Sequence, residues 1–305
     1  MAARPAGAVA APPPEELGAL HADVLAWYAR EARDLPWREP GASAWGVLVS
    51  EVMLQQTPVA RVLPVWRAWL RRWPTPADLA AAPAGDAVRA WGRLGYPRRA
   101  LRLHAAAAAL VERHGGRVPS DHAVLLALPG VGAYTAAAVA VFAHGGRHAV
   151  VDTNVRRVHA RLVSGAAQPA PALSAAETAL AEALLPEDDA TAARWGVAVM
   201  ELGALVCTAR APGCAACPVA DRCAWLRAGA PPAAGPTRRT QRWEGTDRQA
   251  RGRLLAVLRA ADGPVADVDL AVAWPDEAQR SRCLASLLDD GLVVPAAGAA
   301  YALPR

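Results

Sequence analysis

Four of the five cysteines in this chain lie within seventeen residues, as Cys207-x6-Cys214-x2-Cys217-x5-Cys223. Four thiolates in so short a loop suit either one zinc ion or one [4Fe–4S] cluster, because both take four soft ligands and cross-link the loop that supplies them. The spacing alone does not separate the two metals. Residues 207–223 are therefore predicted to surround one metal group, although four unrelated buried cysteines would give the same spacing.

Composition excludes several kinds of chemistry. The chain has 305 residues, 53% of them apolar, which is enough for about two domains with a sizeable core. All 33 basic residues are arginine, and there is no lysine. A lysine Schiff base, a lysine general base and a lysine-dependent phosphate loop are therefore excluded.

The charge is unevenly distributed. Residues 61–117 carry eleven arginines and three acids, whereas residues 174–201 carry six acids and one arginine. The basic segment predicts a surface that attracts a polyanion, although a solvated arginine surface without a partner would look the same.

The chain shows no secretory signal and no convincing membrane span. Residues 1–14 are rich in Ala and Pro and are expected to form a disordered lead-in. The uncharged stretch 123–143 is interrupted by Pro129, Gly130 and Gly132, which favours a helix-turn-helix over a membrane span. We expect a cytoplasmic protein, associated with the nucleoid and not with a membrane.

Helical periodicity predicts an all-α domain over residues 15–228, followed by a Pro/Gly/Arg-rich linker over 229–246. The clearest predicted helices are 17–32, 45–56, 59–73, 101–113 and 133–143. The tail, 247–305, predicts helices over 253–261 and 276–290 and a hairpin over 292–303, which suggests a small winged-helix-like module. A three-helix cap with a frayed end would give a similar pattern.

Three local features carry candidate chemistry. Gly130 and Gly132 precede a predicted helix, where exposed amides and the helix dipole suit an anion, although such a turn is often only a turn. Asp152 ends an apolar run before a helix and is a good N-cap. Glu51 is the only charged residue between Pro40 and Ala60. Burial there would raise its pKa and make it a proton donor, whereas exposure on a wet helix face would not.

Together these motifs resemble the endonuclease III superfamily of helix-hairpin-helix DNA glycosylases. The segments that show this resemblance are LPGVGAYT (128–135), VDTN (151–154) and the cysteine loop (207–223). SEVMLQQT (50–57), LPWR (35–38) and LGYPRR (94–99) are similar to the adenine DNA glycosylases of the MutY type. The resemblance implies two helical lobes and selects a [4Fe–4S] cluster over zinc.

The resemblance also implies roles for single residues. Glu51 would protonate a flipped adenine, Asp152 would stabilise the oxocarbenium-like sugar, and Tyr134 and Asn154 would orient Asp152. The residues that would contact the substrate are Trp37, Arg38, Leu54, Gln55, Gln56 and Tyr96. Those that would contact the DNA backbone are Gly130, Gly132, Arg98 and Arg99, and the cluster ligands would be Cys207, Cys214, Cys217 and Cys223.

The implied activity is the release of adenine opposite 8-oxoguanine or guanine from double-stranded DNA, by a monomer. Lyase members of the superfamily use a hairpin lysine, and Tyr134 occupies that position here, so the enzyme should be monofunctional. The 59 residues from Asp247 onward are too few for the Nudix-like domain of well-known relatives, which leaves reading of the opposite base open. Two alternatives remain: a thymine or uracil mismatch glycosylase, and a non-catalytic iron–sulfur DNA-binding regulator.

Overall fold

The computed structural model describes residues 11–233 and 243–305. Most of the expected lead-in (1–14) and half of the expected linker (229–246) lie outside these ranges. The described chain is mostly helical, with one small sheet near its C-terminus, as the sequence predicts. No helix in the described ranges combines the length and the apolar character needed to cross a membrane.

The chain forms two compact units. The first comprises the described residues of Met1–Val47, Ser120–Leu126 and Gly132–Pro236, and the second those of Leu48–Pro119, Ala127–Val131 and Thr237–Arg305. The expected division into 15–228 and 247–305 differs from this one. The C-terminal residues belong to the same compact unit as residues 48–119, because they pack on that segment, as described below.

The first unit is built from helices around one main core. Its helices are α1 (Pro14–Glu31), the N-terminal turn of α2 (Ala44–Leu54), α7 (His122–Leu126), α8 (Ala133–Phe142), α9 (Thr153–Leu162), α10 (Ala175–Ala183), α11 (Asp189–Leu205) and α12 (Ala224–Arg227), with 3-10 turns at Pro36–Arg38 and Cys214–Ala216. Trp27 of α1, Val158 of α9 and Trp195 of α11 are buried in this core. The core ends at the cysteine loop, where Val219 and Cys223 join it.

Side-chain caps fix where several helices begin. Ser174 and Glu177 form a reciprocal capping box at the start of α10, and Asp188 accepts from the backbone of Thr191 at the start of α11. Each cap satisfies amides that have no partner within the helix. These caps account for two of the six acids in residues 174–201.

The second unit contains the basic segment and the C-terminal module. Its elements are the remainder of α2, α3 (Val59–Arg72), α4 (Pro76–Ala81), α5 (Ala84–Trp91), α6 (Arg98–His114), α13 (Asp247–Ala260), β1 (Val265–Ala266), α14 (Asp267–Ala273), α15 (Glu277–Asp289), β2 (Val294–Ala296) and β3 (Ala300–Ala302). Trp69 of α3 packs edge-on against Trp73 and against Trp91 of α5, with ring centroids 4.7 and 5.8 Å apart.

The C-terminal module has the predicted helices and hairpin. The strands form one antiparallel sheet in the order β1-β3-β2, with Tyr301 opposite both Val265 and Pro295. The sequence did not predict β1 or α14, since a two-residue strand and a seven-residue helix are too short to show a period. The module has the element order α13-β1-α14-α15-β2-β3, and its assignment as winged-helix-like stays a prediction.

Reciprocal hydrogen bonds hold the module against α5. Arg89 donates to the carbonyls of Arg259 (3.0 Å) and Ala261 (2.7 Å), while Arg259 donates to those of Val88 (2.9 Å) and Gly92. Burial lowers the pKa of Arg259 to about 10. The arginine of each helix, α5 and α13, thus donates hydrogen bonds to backbone carbonyls at the end of the other helix.

A close backbone approach and ion pairs extend this contact. The amide of Gly85 donates to the carbonyl of Pro304 at 2.7 Å, and a Cβ at Gly85 would lie 2.3 Å from that oxygen. On α6, Arg98 pairs with Asp290 at 2.8 Å, and Arg251 binds the other oxygen of the same carboxylate. The module is therefore an integral part of the second unit.

We expect Arg259→Gln to lower the free energy of unfolding by about 2 kcal/mol, because the carbonyls of Val88 and Gly92 would lose buried donors. Urea denaturation followed by circular dichroism measures the change. Arg253→Gln, on the exposed face of the same helix, is the control and should stay within about 0.5 kcal/mol of the parent. Equal effects of the two substitutions would contradict this account of the contact.

Candidate active site

Asp152 caps helix α9, as its position in the sequence predicts. Its Oδ1 accepts from the amide of Val155 at 2.7 Å, and its Oδ2 accepts from Nδ2 of Asn154 at 2.9 Å. Burial raises the pKa of Asp152, while these two hydrogen bonds and the charge of Arg157 oppose the rise. The carboxylate is thus held in one orientation in a partly dehydrated environment.

Arg157 connects this aspartate to the cysteine loop. Its Nη2 donates to Oδ1 of Asn154 (2.8 Å) and to the carbonyl of Gly203 (2.7 Å), and its Nε donates to the carbonyl of Cys207 (2.7 Å). A continuous chain of hydrogen bonds therefore runs from Asp152 through Asn154 and Arg157 to the backbone of Cys207. The guanidinium also fixes the orientation of the Asn154 amide, since only the amide oxygen can accept from it.

Helix α11 approaches the start of α9 very closely at Gly203. A Cβ at this position would lie 2.7 Å from the Cβ of Asn154 and 2.9 Å from its carbonyl oxygen. Any larger residue would have to displace the backbone of Asn154. Glycine is therefore required here by space, although its position in the sequence, inside an apolar helix, did not mark it as a site residue.

Glu201, also on α11, is fully buried and was not predicted from the sequence. Its carboxylate accepts from the amide and Nε of Arg33 (3.1 and 2.7 Å) and from Nη2 of Arg38 (3.0 Å). Burial alone would raise the pKa of Glu201, but the hydrogen bonds from Arg33 and the charge of Arg38 lower it to about 2. The sequence signal that could have identified Glu201 is an acid within the apolar run at the end of α11.

Glu201 thereby positions the segment that contains Trp37 and Arg38. Trp37 is buried in a 3-10 turn that ends at Arg38, and Nη2 of Arg38 donates to the carboxylate of Glu201. The buried Nη1 of Arg38 finds no hydrogen-bond partner among residues 11–233 and 243–305. Tyr134, on the first turn of α8, is half-buried against the small core formed by Ala137, Val141 and their neighbours.

The four clustered cysteines line one apolar pocket of about 30 Å³. Arg161 contacts one of the thiols, with Nη1 at 3.4 Å from Sγ of Cys207, and binds the carbonyls of Thr208 and Ala209. Its guanidinium also lies 4.8 Å above the ring of Trp225. The loop is thus fastened from outside by a buried arginine while its thiols face a common pocket.

The donor set of this pocket fits an iron–sulfur cluster. Burial raises the pKa of Cys217 to about 11 and also raises that of Cys214. Four soft donors around an apolar space need strong positive charge to become thiolates, which the iron of a [4Fe–4S] cluster or a zinc ion would supply.

The second unit contains the other predicted residues. Glu51 is 5% exposed in the last two turns of α2. Leu54 ends that helix, and Gln55 and Gln56 follow it, with Gln56 exposed at a left-handed φ of 55°. Tyr96 is 56% exposed at the tip of the turn before α6. Burial of Glu51 agrees with the first of the two environments considered for it.

The two arginines after Tyr96 have different environments. Arg98 is exposed and paired with Asp290. Arg99 is 7% exposed, and its guanidinium donates to the carbonyls of Val52 and Gln55. The expected DNA contact of Arg99 is corrected accordingly, since its donors are directed at the protein backbone and not at solvent.

The two hairpin glycines have different reasons for being glycine. Gly130 has a φ of 75°, and a Cβ there would lie 2.6 Å from the Cβ of Arg102, so both conformation and space exclude other residues. Gly132 is the N-cap of α8, and a Cβ there would meet nothing within 4 Å. The start of α8 is therefore open to close approach from outside.

The structure thus gathers the predicted residues into two sets. Asp152, Asn154, Tyr134 and Gly132 belong to the first unit together with Trp37, Arg38 and the four cluster cysteines. The second unit holds Glu51, Leu54, Gln55, Gln56, Tyr96, Arg98, Arg99 and Gly130. This mostly helical architecture, with a capped aspartate following a glycine hairpin, defines the class of a helix-hairpin-helix DNA glycosylase.

Comparisons with known proteins agree with this class. The profile of the HhH-GPD superfamily of base excision DNA repair proteins matches residues 49–183. The adenine DNA glycosylase of Mycobacterium tuberculosis (strain ATCC 25618 / H37Rv) is 56% identical over 297 residues, which cover 96% of this chain and 97% of the relative. The thymine/uracil-DNA glycosylase of Pyrobaculum aerophilum is 34% identical and covers 65% of this chain and 87% of its own length.

Solved structures extend the comparison to the fold. A thermostable thymine-DNA glycosylase has a TM-score of 0.61 and 26% identity, covering 70% of this chain and 98% of its own. A non-covalent endonuclease III–DNA complex has the same TM-score at 22% identity, covering 72% and 99%, and shows the fold alone. The chain belongs to the adenine DNA glycosylase family of the HhH-GPD superfamily, which confirms the resemblance seen in the sequence.

His159 on α9 makes stability depend on pH. Burial lowers its pKa to about 4, and its Nε2 has no hydrogen-bond partner within the described structure. The pKa of His159 is lower in the folded state than its unfolded value of about 6.5. The free energy of unfolding is therefore highest above about pH 6.5 and decreases as the pH falls towards 4. We expect the buried His159 to make the free energy of unfolding about 2 kcal/mol lower at pH 5 than at pH 7.5.

Urea denaturation of the parent and of His159→Leu at the two pH values measures this cost. The pH-dependent loss should shrink by about 2 kcal/mol in His159→Leu and remain in the control His144→Leu, whose histidine is exposed. An unchanged loss in His159→Leu would show that other groups cause it.

Proposed function

We propose that this protein excises adenine paired with 8-oxoguanine or guanine from double-stranded DNA by hydrolysing the N-glycosidic bond. The observation that carries the proposal is the carboxylate of Asp152, held by the amide of Val155 and by Asn154. A fixed anion is what a cationic, oxocarbenium-like sugar requires, because it stabilises the developing positive charge without having to reorient.

Glu51 is proposed as the acid. Adenine becomes a good leaving group once N7 is protonated, and positioned proton donation typically contributes about 10²–10⁴-fold. Glu51 is 5% exposed within the apolar helix α2, so it is largely shielded from bulk water. A pyrimidine has no N7, so this role distinguishes adenine release from thymine or uracil release.

Trp37 and Arg38 are proposed to bind the flipped base. Arg38 is already oriented through Nη2 by Glu201, while its buried Nη1 has no acceptor among the described residues. A buried donor without a partner costs free energy, and a ring nitrogen of a purine would supply the acceptor. Tyr134, beside the hairpin, is proposed to orient Asp152 together with Asn154.

The reaction is proposed to stop at the abasic site. The chain has no lysine to form a Schiff base with the sugar, and Tyr134 occupies the hairpin position where lyase relatives place one. Water, activated next to Asp152, would therefore complete hydrolysis.

Cys207, Cys214, Cys217 and Cys223 are proposed to hold a [4Fe–4S] cluster. When bound, the cluster would supply four iron–thiolate bonds that cross-link residues 207–223. The protein's own contribution is to hold this loop, since Arg161 fixes the carbonyls of Thr208 and Ala209 and Arg157 fixes that of Cys207. The loop would in this way remain attached to the helix that Asp152 caps.

DNA is proposed to be gripped at its phosphates by the amides before α8, at Gly130 and Gly132, and by Arg98. Leu54, Gln55, Gln56 and Tyr96 are proposed to enter the duplex and hold it open. We further propose that the protein acts as a monomer in the cytoplasm, at the nucleoid.

A base-release assay tests this function. Duplexes carrying A opposite 8-oxoguanine, A opposite guanine, or T opposite guanine are incubated with the protein, and free base is measured by chromatography. We expect adenine release from the first two duplexes, no thymine release, and strand cleavage only after alkali. Glu51→Gln and Asp152→Asn should each reduce adenine release at least about 10²-fold while DNA binding persists.

Glu112→Gln, at an exposed position of α6, provides the matched control and should release adenine at the parent rate. Thymine release without adenine release would contradict the proposed substrate, and strand cleavage without alkali would contradict the monofunctional reaction. Full turnover in Glu51→Gln or Asp152→Asn would remove that residue from the mechanism.

Cys214→Ser tests the cluster. We expect the parent to contain about four irons per chain and visible iron–sulfur absorption, and the variant to lose both. Cys283→Ser, in the C-terminal module, is the matched control because Cys283 is not part of residues 207–223 and its thiol donates to the carbonyl of Asp247. One zinc per chain in place of iron would contradict the cluster.

A further inference from the structure

Two loop tips of the second unit share a backbone conformation that non-glycine residues seldom adopt. Gln56 has a φ of 55° and Tyr96 a φ of 46°. The left-handed conformation costs an ordinary residue roughly 1–2 kcal/mol. Such residues persist only where the surrounding structure holds them.

The guanidinium of Arg99 holds both tips. Nη1 donates to the carbonyl of Gln55, and Nη2 lies 3.4 Å from the carbonyl of Gly95. These two carbonyls belong to the peptide groups immediately before Gln56 and Tyr96. One side chain therefore binds the backbone on the N-terminal side of each left-handed residue.

Further contacts join the two loops at the same place. Nη1 of Arg99 also donates to the carbonyl of Val52 at 3.0 Å, and Nη2 lies 3.4 Å from Oγ1 of Thr57. The hydroxyl of Thr57 lies 3.3 Å from the carbonyl of Leu94, in the turn that leads to Tyr96, and 3.3 Å from the carbonyl of Gln55 in its own loop. Thr57 therefore provides a second, weaker connection between the loops.

The charge of Arg99 is suited to this position. Val52 and Gln55 provide carbonyls at the C-terminal end of α2, which has a partial negative charge. The guanidinium also lies 5.1 Å from the ring centroid of Tyr96 and 5.6 Å from that of Trp91. Since Arg99 is only 7% exposed, it contacts the two loops and leaves their tips to face solvent.

We propose that Arg99 is a positioning residue that holds the tips at Gln56 and Tyr96 in one fixed arrangement, so that both enter the duplex together when the base is extruded. The proposal rests on the proposed function, in which these side chains hold the duplex open. Preformed tips need not be ordered during extrusion, so Arg99 should accelerate extrusion and leave bond cleavage unaffected.

Two duplexes separate extrusion from cleavage. The first carries A opposite 8-oxoguanine between matched pairs, and the second carries the same pair between two mismatches, which lower the cost of unstacking. Single-turnover rates of adenine release are measured on both. Arg99→Gln should lose about 10–100-fold on the first duplex and less than about 3-fold on the second.

Two further variants complete the test. Arg113→Gln, exposed near the end of the same helix, should match the parent on both duplexes. Thr57→Val removes the second connection at nearly constant volume, and should show the same selective loss, about 3–10-fold, on the first duplex. Iron content and thermal midpoint establish that each variant is folded before rates are compared.

The outcomes are distinct. A selective loss on the first duplex supports the positioning role, whereas an equal loss on both duplexes, or no loss on either, overturns it. If Arg99→Gln does not fold, Thr57→Val decides between these outcomes on the same criteria. Failure of the parent protein to release adenine from either duplex would contradict the proposed function itself and not the positioning of the loops.

Discussion

The first unit depends on how closely α11 packs against the beginning of α9. At Gly203 the two helices approach until a single added carbon would meet Asn154 at 2.7 Å. That distance allows Arg157 to reach the carbonyls of Gly203 and Cys207 from the same guanidinium that orients Asn154. If the two helices packed less closely, Arg157 would no longer hold the side-chain amide of Asn154, which donates to Asp152.

The same helix organises residues distant in sequence. Glu201, two residues before Gly203, anchors Arg33 and Arg38, and the chain reaches Cys207 shortly after α11 ends. The aspartate cap, the segment containing Trp37 and the cysteine loop are thus all attached to one helix. Because Glu201 is buried with arginine partners, removing one partner would leave an uncompensated buried charge, which is a costly change.

The second unit uses arginine in a comparable way, with backbone carbonyls as acceptors. Arg89 of α5 donates to a backbone carbonyl of the C-terminal module, and Arg259 of the module donates to one of α5. Arg99 donates to backbone carbonyls of two loops. A planar guanidinium with five donors can join several such acceptors at once. A high arginine content therefore serves packing within this unit as well as the expected attraction of DNA.

Local signals in the sequence were sufficient for much of the protein. Helical periodicity located most helices to within a few residues, and the Asp152 cap and the cysteine spacing were visible because each involves neighbours in the chain. Arg98 and Arg99 could not be distinguished in this way, since both follow Tyr96 in a basic segment and only packing buries one of them. Glu201 and Gly203 were missed for the same reason: their partners lie more than 40 residues away.

The sequence by itself determined the class of fold, the absence of a lysine nucleophile and the residue types available for catalysis. Only the tertiary structure decided which arginines bind the protein, where the C-terminal module packs and what holds Asn154 in place. Helix periods and caps are set by residues three or four apart, whereas buried charges and close backbone approaches depend on partners that only folding brings together.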